Sequence, residues 1–317
     1  MFRNQYDSDT TVWSPQGRLF QVEYAMEAVK QGSATVGLKS RDYAALIALC
    51  RTSKEAEDSP NSPLQRKIMP VDAHMGMSIA GLTADARIVC QHLRSECMSF
   101  RHSYDTDYPV QRLVTNLGIK LQATTQRYNR RPFGVGMLIA GYDEKGTHIF
   151  QVMPSANVFN CKAMAIGSRS QSARTYLERH LDSFMDSTKQ DLICHGIQAI
   201  RGALGNQDSS EFTINVAIVG KDEPFKIFNE TENQIYFEIA KTMGNPVTSD
   251  AEDARSIGGM IDMMDDMLEH GPSGSGSGPA LDTDEESNAG LEPRPHFLNG
   301  NFYNDGKTEQ RDGIKWG

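Results

Sequence analysis

The residues of this chain that could do chemistry gather in its first forty. A phenol and a carboxylate stand side by side at Tyr6-Asp7, and a second phenol follows at Tyr24. Gly32-Ser33 puts a hydroxyl at the head of an alternating run, Ala34, Val36 and Leu38, of the kind that forms a strand. That hydroxyl becomes a nucleophile of the terminal type only if cleavage after Gly32 frees it, because the α-amine of the same residue must take the proton. Whether the block ahead of Ser33 is removed or kept therefore decides what the chain can do. Other catalytic constellations are weak. The eight histidines show no His-Glu-x-x-His or Cys/His ligand spacing, which argues against a metal site. Gly134-x-Gly136 lacks the third glycine of a dinucleotide loop, and no Gly-x-x-x-x-Gly-Lys-Ser/Thr run is present, so no cofactor is expected and any use of ATP belongs to partners. Ser168–Gln171 could mimic a phosphate-binding helix start but reads as ordinary capping.

The block ahead of Ser33 looks built to stay. Ser14-Pro15-Gln16-Gly17 fits a type I turn, with Pro fixing φ at the second position and Gly at the fourth. Leu19, Val22, Met26 and Val29 then repeat along one helix face, and Gly32 ends the helix. A disposable leader needs no such face. Beyond it, Ser33–Lys39 pairs with Tyr43–Cys50, a polar loop covers Arg51–Pro63, and Leu64–Val71 pairs with Met75–Ala80. A helix follows in which Thr83 can cap, Asp85 favours the first turn, and Cys90 and Cys97 share a face; Val110–Gln126 is a second helix. Strands Gly134–Tyr142 and Thr147–Met153, helices Ser170–Met185 and Thr188–Leu204, strands Phe212–Val219 and Pro224–Phe228, and a short helix near Glu230–Lys241 complete the pattern. This rhythm implies an α+β fold: two packed sheets with a helix pair outside each.

Composition separates body from tail. The net charge is −9, yet residues 246–317 hold 15 acidic and 5 basic residues, so the first 245 are close to neutral. No basic patch argues for nucleic acid. No run approaches the ~20 apolar residues of a membrane span, and no signal peptide leads the chain. The five cysteines, Cys50, Cys90, Cys97, Cys161 and Cys194, lack Cys-x-x-Cys spacing and read as reduced packing residues. The sequon Asn229-Glu230-Thr231 carries no weight without an export signal. Gly271–Gly278 alternates Gly and Ser as a flexible linker does. Three regions result: 1–31 as a leading segment and helix, 32–241 as the packed domain, and 242–317 as an acidic, disordered tail.

Several multi-residue blocks resemble proteasome α-ring subunits. They are Tyr6-Asp7 and Trp13–Leu19, Gln21–Ala25, Gly32–Lys39, Ala80–Arg87 and Arg130–Gly136, in order and at family spacing. Met1–Asp7 with Tyr24–Gln31 narrows the resemblance to one type of α chain. It covers residues 1 to about 240 and implies a four-layer αββα sandwich, the N-terminal nucleophile hydrolase fold, without catalysis. Proteolytic relatives use a freed Thr, an acid on the second strand and a Lys; these positions fall on Ser33, Leu49 and Lys67, and Leu49 cannot act as an acid.

The resemblance further implies a heteroheptameric ring of α subunits stacked on β-ring subunits, in cytoplasm and nucleus, serving ATP- and ubiquitin-dependent protein breakdown. Tyr6, Asp7, Pro15 and Tyr24 match the cluster that holds the axial gate open. Lys67, with Gly32 and Leu19, matches a pocket between neighbours that takes the C-terminal carboxylate of an activator such as a regulatory particle; Arg66 is the alternative cation. Competing readings are an active peptidase using Ser33 after cleavage at Gly32, and a freestanding binding protein on the same fold.

Overall fold

The computed structural model describes residues 5–51, 67–204, 212–229, 232, 233, 235 and 236. All of them fall within the first of two units, Met1–Leu268 and Glu269–Gly317. The expected loop beyond Arg51, most of the helix near Glu230–Lys241 and the acidic tail from 242 lie outside the described residues.

Among the described residues, five α-helices and ten strands follow one another. The leading helix α1 (Phe20–Gln31) is followed by β1 (Thr35–Lys39), β2 (Tyr43–Arg51), β3 (Ile68–Asp72) and β4 (Met75–Gly81). Helices α2 (Thr83–Tyr104) and α3 (Val110–Thr125) come next, then β5 (Val135–Asp143), β6 (Gly146–Val152), β7 (Val158–Cys161) and β8 (Ala163–Ile166). Helices α4 (Ser170–Arg179) and α5 (Lys189–Leu204) precede β9 (Phe212–Gly220) and β10 (Lys226–Ile227). The strands form two five-stranded sheets, ordered β10-β9-β2-β1-β8 and β3-β4-β5-β6-β7. Every neighbouring pair is antiparallel.

The layers follow from alternation along each strand. In β2, Ala45, Ile47 and Leu49 turn toward a core shared with Ile197 and Ile200 of α5, while Ala44, Leu46 and Ala48 turn inward onto the other sheet. Residues 44–49 are thus buried on both faces, which is why they read as one apolar run. The second sheet is covered by α2 and α3 through Val89, Leu93, Leu113 and Leu117. The αββα sandwich agrees with expectation.

Helix α1 belongs to neither outer layer. Its Val29, 2% exposed, joins the core between the sheets with Leu138, Ile149 and Ile166. The helix lies against β4 and β5, and Gly136 leaves room for the Val29 side chain.

Local expectations fail in four places. Strands β7 and β8 were not read from the sequence; each has four residues, and the chain passes from one sheet to the other at Lys162. The third expected helix stops at Arg179 rather than Met185, and a 3₁₀ turn over Phe184–Asp186 buries Phe184 instead. Leu82, not Thr83, takes the cap position of α2, with no side-chain cap bond. Arg169 takes the cap position of α4 in the left-handed region at φ 53°, with no side-chain cap bond, so the ordinary capping expected over Ser168–Gln171 does not form.

Candidate functional site

The leading segment reaches α1 through a closed turn. The Gly17 amide donates to the Ser14 carbonyl at 2.9 Å, and the Arg18 amide donates to Ser14 Oγ at 3.0 Å. Gly17 sits at φ 74°, a value that favours glycine. Pro15 is exposed on the turn. One helical turn on, Arg18 Nε donates to Glu23 Oε1 at 2.9 Å, and its guanidinium lies 5.0 Å over the Phe20 ring.

This geometry brings together two of the four residues expected to act as a gate cluster. Tyr24 Oη donates to Asp7 Oδ2 at 3.2 Å, and Gln21 Nε2 donates to the Asp7 carbonyl. Tyr24 is 48% exposed, so it is not a core aromatic. Partial desolvation, then the Asp7 bond, raise the Tyr24 phenol above its ordinary range. The Asp7–Tyr24 bond forms within one chain. Tyr6 is half-buried.

A second region lies where α1 meets β1. Lys67 Nζ donates to the Ser33 carbonyl at 3.2 Å, and the Gly32 carbonyl accepts from the Ser168 amide at 2.6 Å. A Cβ on Gly32 would overlap the Gly81 nitrogen and come within 3.0 Å of the Ala80 carbonyl carbon. Lys67 and Gly32 therefore share one corner of the sandwich. Leu19 does not: it precedes the 12 residues of α1 and Gly32 follows them, roughly 18 Å apart along the axis. Leu49 is 5% exposed, its side chain in the apolar core beneath α4 and α5 and its amide bonded to the Ala34 carbonyl at 3.0 Å.

Comparison with known proteins decides the family. Residues 29–219 match the family model for proteasome subunits, and residues 6–28 match the N-terminal signature of A-type proteasome subunits. The chain belongs to the proteasome family, with the α-type N-terminal signature. It is 62% identical over 249 residues to the proteasome alpha type-1 subunit of Drosophila melanogaster, covering 77% of this chain and 88% of that one. Identity to the proteasome alpha type-1 subunit of Dictyostelium discoideum is 49% over 241 residues, 75% and 95% of the two chains. Identity to the probable proteasome alpha type-6 subunit of Schizosaccharomyces pombe is 45% over 239 residues, 75% and 86% of the two.

Two motifs that mark the proteasome resemblance prove to be one device. Arg131 holds Asp85 with both guanidinium nitrogens, at 2.6 and 2.8 Å, and the Gly134 amide donates to the same carboxylate at 3.0 Å. The Arg131 bond, against a smaller effect of burial, sets the Asp85 carboxyl below its ordinary range. Asp85 was expected only to favour the start of α2; its partner 46 residues away has no signal in the helix pattern.

Sequence spacing also missed Asp72, His74 and Asp107, whose ligand-type atoms lie within 4.8 Å of one another. Arg101 already bridges both carboxylates at 2.7 to 2.8 Å. Burial alone would raise the Asp72 carboxyl, but the bonds from Arg101 and the Ala73 amide outweigh it and the net shift is downward. The two carboxylates and Arg101 form an ion-pair network, and His74 and Asp107 line an open cleft of about 870 Å³ walled by turns at one end of the sandwich. A cation there would have to displace the guanidinium. Among the described residues, no helix is long and apolar enough to cross a membrane.

Proposed function

We propose that this proteasome chain is a non-catalytic member of a heteroheptameric α ring that stacks on β rings, shapes the axial gate and helps dock activators. Its place is the cytoplasm and nucleus, in ATP- and ubiquitin-dependent protein breakdown. The observation that carries the reading is the packing of the segment ahead of Ser33. Val29 fills the space between the sheets at 2% exposure, and Asp7 is bonded back to α1 through Tyr24 and Gln21. A leader packed in this way occupies the place where a free Ser33 amine would have to appear, and Leu49 offers no acid beside it. Ring neighbours would supply the remaining contacts of Tyr6, Asp7, Pro15 and Tyr24.

The docking pocket follows the same logic. Lys67 and Gly32 stand at one corner, and Leu19 stands a helix length away. A pocket that uses all three therefore takes Lys67 and Gly32 from one ring member and the Leu19 type of position from the next. The Lys67 ammonium is a suitable partner for a terminal carboxylate. In the assembled core particle, Lys67→Ala should weaken binding of an activator C-terminal peptide roughly tenfold or more, the scale of one charged hydrogen bond, while ring assembly survives. Unchanged peptide affinity in that variant would remove Lys67 from the pocket.

A further inference from the structure

Between the gate residues and the turn at Ser14 lies a contact that none of the expected roles uses. Thr10 is 1% exposed although it sits in an irregular leading segment. Its Oγ1 lies 3.2 Å from the Arg127 carbonyl and 3.2 Å from the Arg130 carbonyl, in the connection between α3 and β5. Those partners are 117 and 120 residues away in the chain. Asp9 shapes the approach: its carboxylate accepts from the Thr10 amide at 2.6 Å and from Thr11 Oγ1 at 3.2 Å, and it lies 3.2 Å from Thr10 Oγ1, so the one hydroxyl proton is shared among this carboxylate and the two carbonyls.

The connection that receives Thr10 is itself fastened. Arg131 ties it to buried Asp85, and Asn129 holds a left-handed bend at φ 61° within it. The Thr10 hydroxyl thus joins a rigid part of the body to the middle of the leading segment, three residues from Asp7. An anchored residue limits how far its neighbours can swing, because each residue spans at most ~3.6 Å.

We propose that Thr10 is the positioning residue of the gate segment: its hydroxyl pins the segment to the α3–β5 connection and so holds the Asp7 carboxylate at Tyr24. The proposal rests on the gating reading above. It assigns Thr10 no contact with an activator or a substrate. Its effect passes through Asp7.

The test uses the assembled core particle carrying Thr10→Val, which keeps the shape and removes the hydroxyl, and Thr10→Ser, which keeps the hydroxyl. Amide exchange of residues 5–12, followed by mass spectrometry, should quicken roughly tenfold in the valine variant and stay near wild type in the serine variant, the scale of one lost buried hydrogen bond. Hydrolysis of a fluorogenic peptide stimulated by an activator C-terminal peptide should fall in Thr10→Val and recover in Thr10→Ser. Labelling of the catalytic threonines in the β rings by a covalent probe should be equal in all three particles. Wild-type exchange rates in Thr10→Val would overturn the pin. The gating reading fails separately: if Asp7→Ala leaves stimulated hydrolysis unchanged while Thr10→Val still quickens exchange, the pin stands and the gate role of Asp7 falls.

Discussion

Asp85 shows what a single buried carboxylate can organise. It is 3% exposed, yet it accepts three hydrogen bonds, two from Arg131 and one from the Gly134 amide. Arg131 itself is 63% exposed, so solvent screens the pair and its worth is below that of a fully buried bridge. Asp85→Asn keeps the shape but turns an amide nitrogen toward donors, and should lower stability by about 2 kcal/mol at neutral pH. The sign of the pH dependence follows from the lowered carboxyl. Its folded value lies below the unfolded value of ~3.9, so the stabilisation is complete about a unit above that value and fades as pH falls through the folded value. Urea melts of both proteins across pH should show a constant gap from neutral pH to about 5 that closes in stronger acid. A gap unchanged down to pH 2 would mean that the carboxylate charge contributes nothing. Neither Arg131 nor the Thr10 anchor was legible beforehand, because both join residues far apart in sequence through backbone carbonyls or loop positions that carry no periodic signal.

Elements were legible where burial is regular and obscure where it is not. The stripe Leu19, Val22, Met26 and Val29 announces α1, and the apolar runs announce β2, β4, β5 and β9. Strands β7 and β8 escape because each is an edge strand, one to each sheet, and four residues are too few for alternation to show. The end of α4 escapes because Leu181 and Phe184 continue the helical spacing while a tighter turn delivers Phe184 to the same core. The placement of Lys67 beside Ser33 came only by likeness to the family, since the intervening chain defeats counting. The junction of α1 and β1 gives a sharp test. Gly32 has an ordinary backbone conformation, φ −67°, so its need for glycine is purely one of space against the Gly81 and Ala80 backbone. Gly17 is the opposite case, with open space around it and φ 74°. Gly32→Ala should therefore cost about 1–3 kcal/mol through displaced backbone, and Gly17→Ala about 1 kcal/mol through strain alone. Thermal melts rank them. Equal effects would refute the close approach at Gly32.

At the scale of the molecule, the proposal that this chain does not cut turns on whether the leading segment stays in place. The sandwich could place a terminal nucleophile at Ser33, because Ser33 stands two residues ahead of β1 and Lys67 donates to its carbonyl. Cleavage at Gly32-Ser33 would have to break into a packed corner. The Gly32 carbonyl is held by the Ser168 amide, and the freed segment would take Val29 out of the core, uncovering Gly136 and Ile166. Losing one buried valine costs about 2 kcal/mol before the rest of α1 is counted. On the proposed reading nothing returns that cost, since Leu49, buried under α4 and α5, carries no acid. Intact-mass spectrometry of the chain taken from native particles should therefore find residues 5–32 still attached. Gel filtration should carry it in an assembly many times its own 35.1 kDa. A chain beginning at Ser33 would overturn the reading that the leading segment stays, and a peptidase assay would then have to decide whether Ser33 can act without an acid at Leu49. A full-length chain running as a 35.1 kDa monomer would make it a freestanding binding protein, with the Asp7–Tyr24 contact serving the segment's own stability rather than a gate.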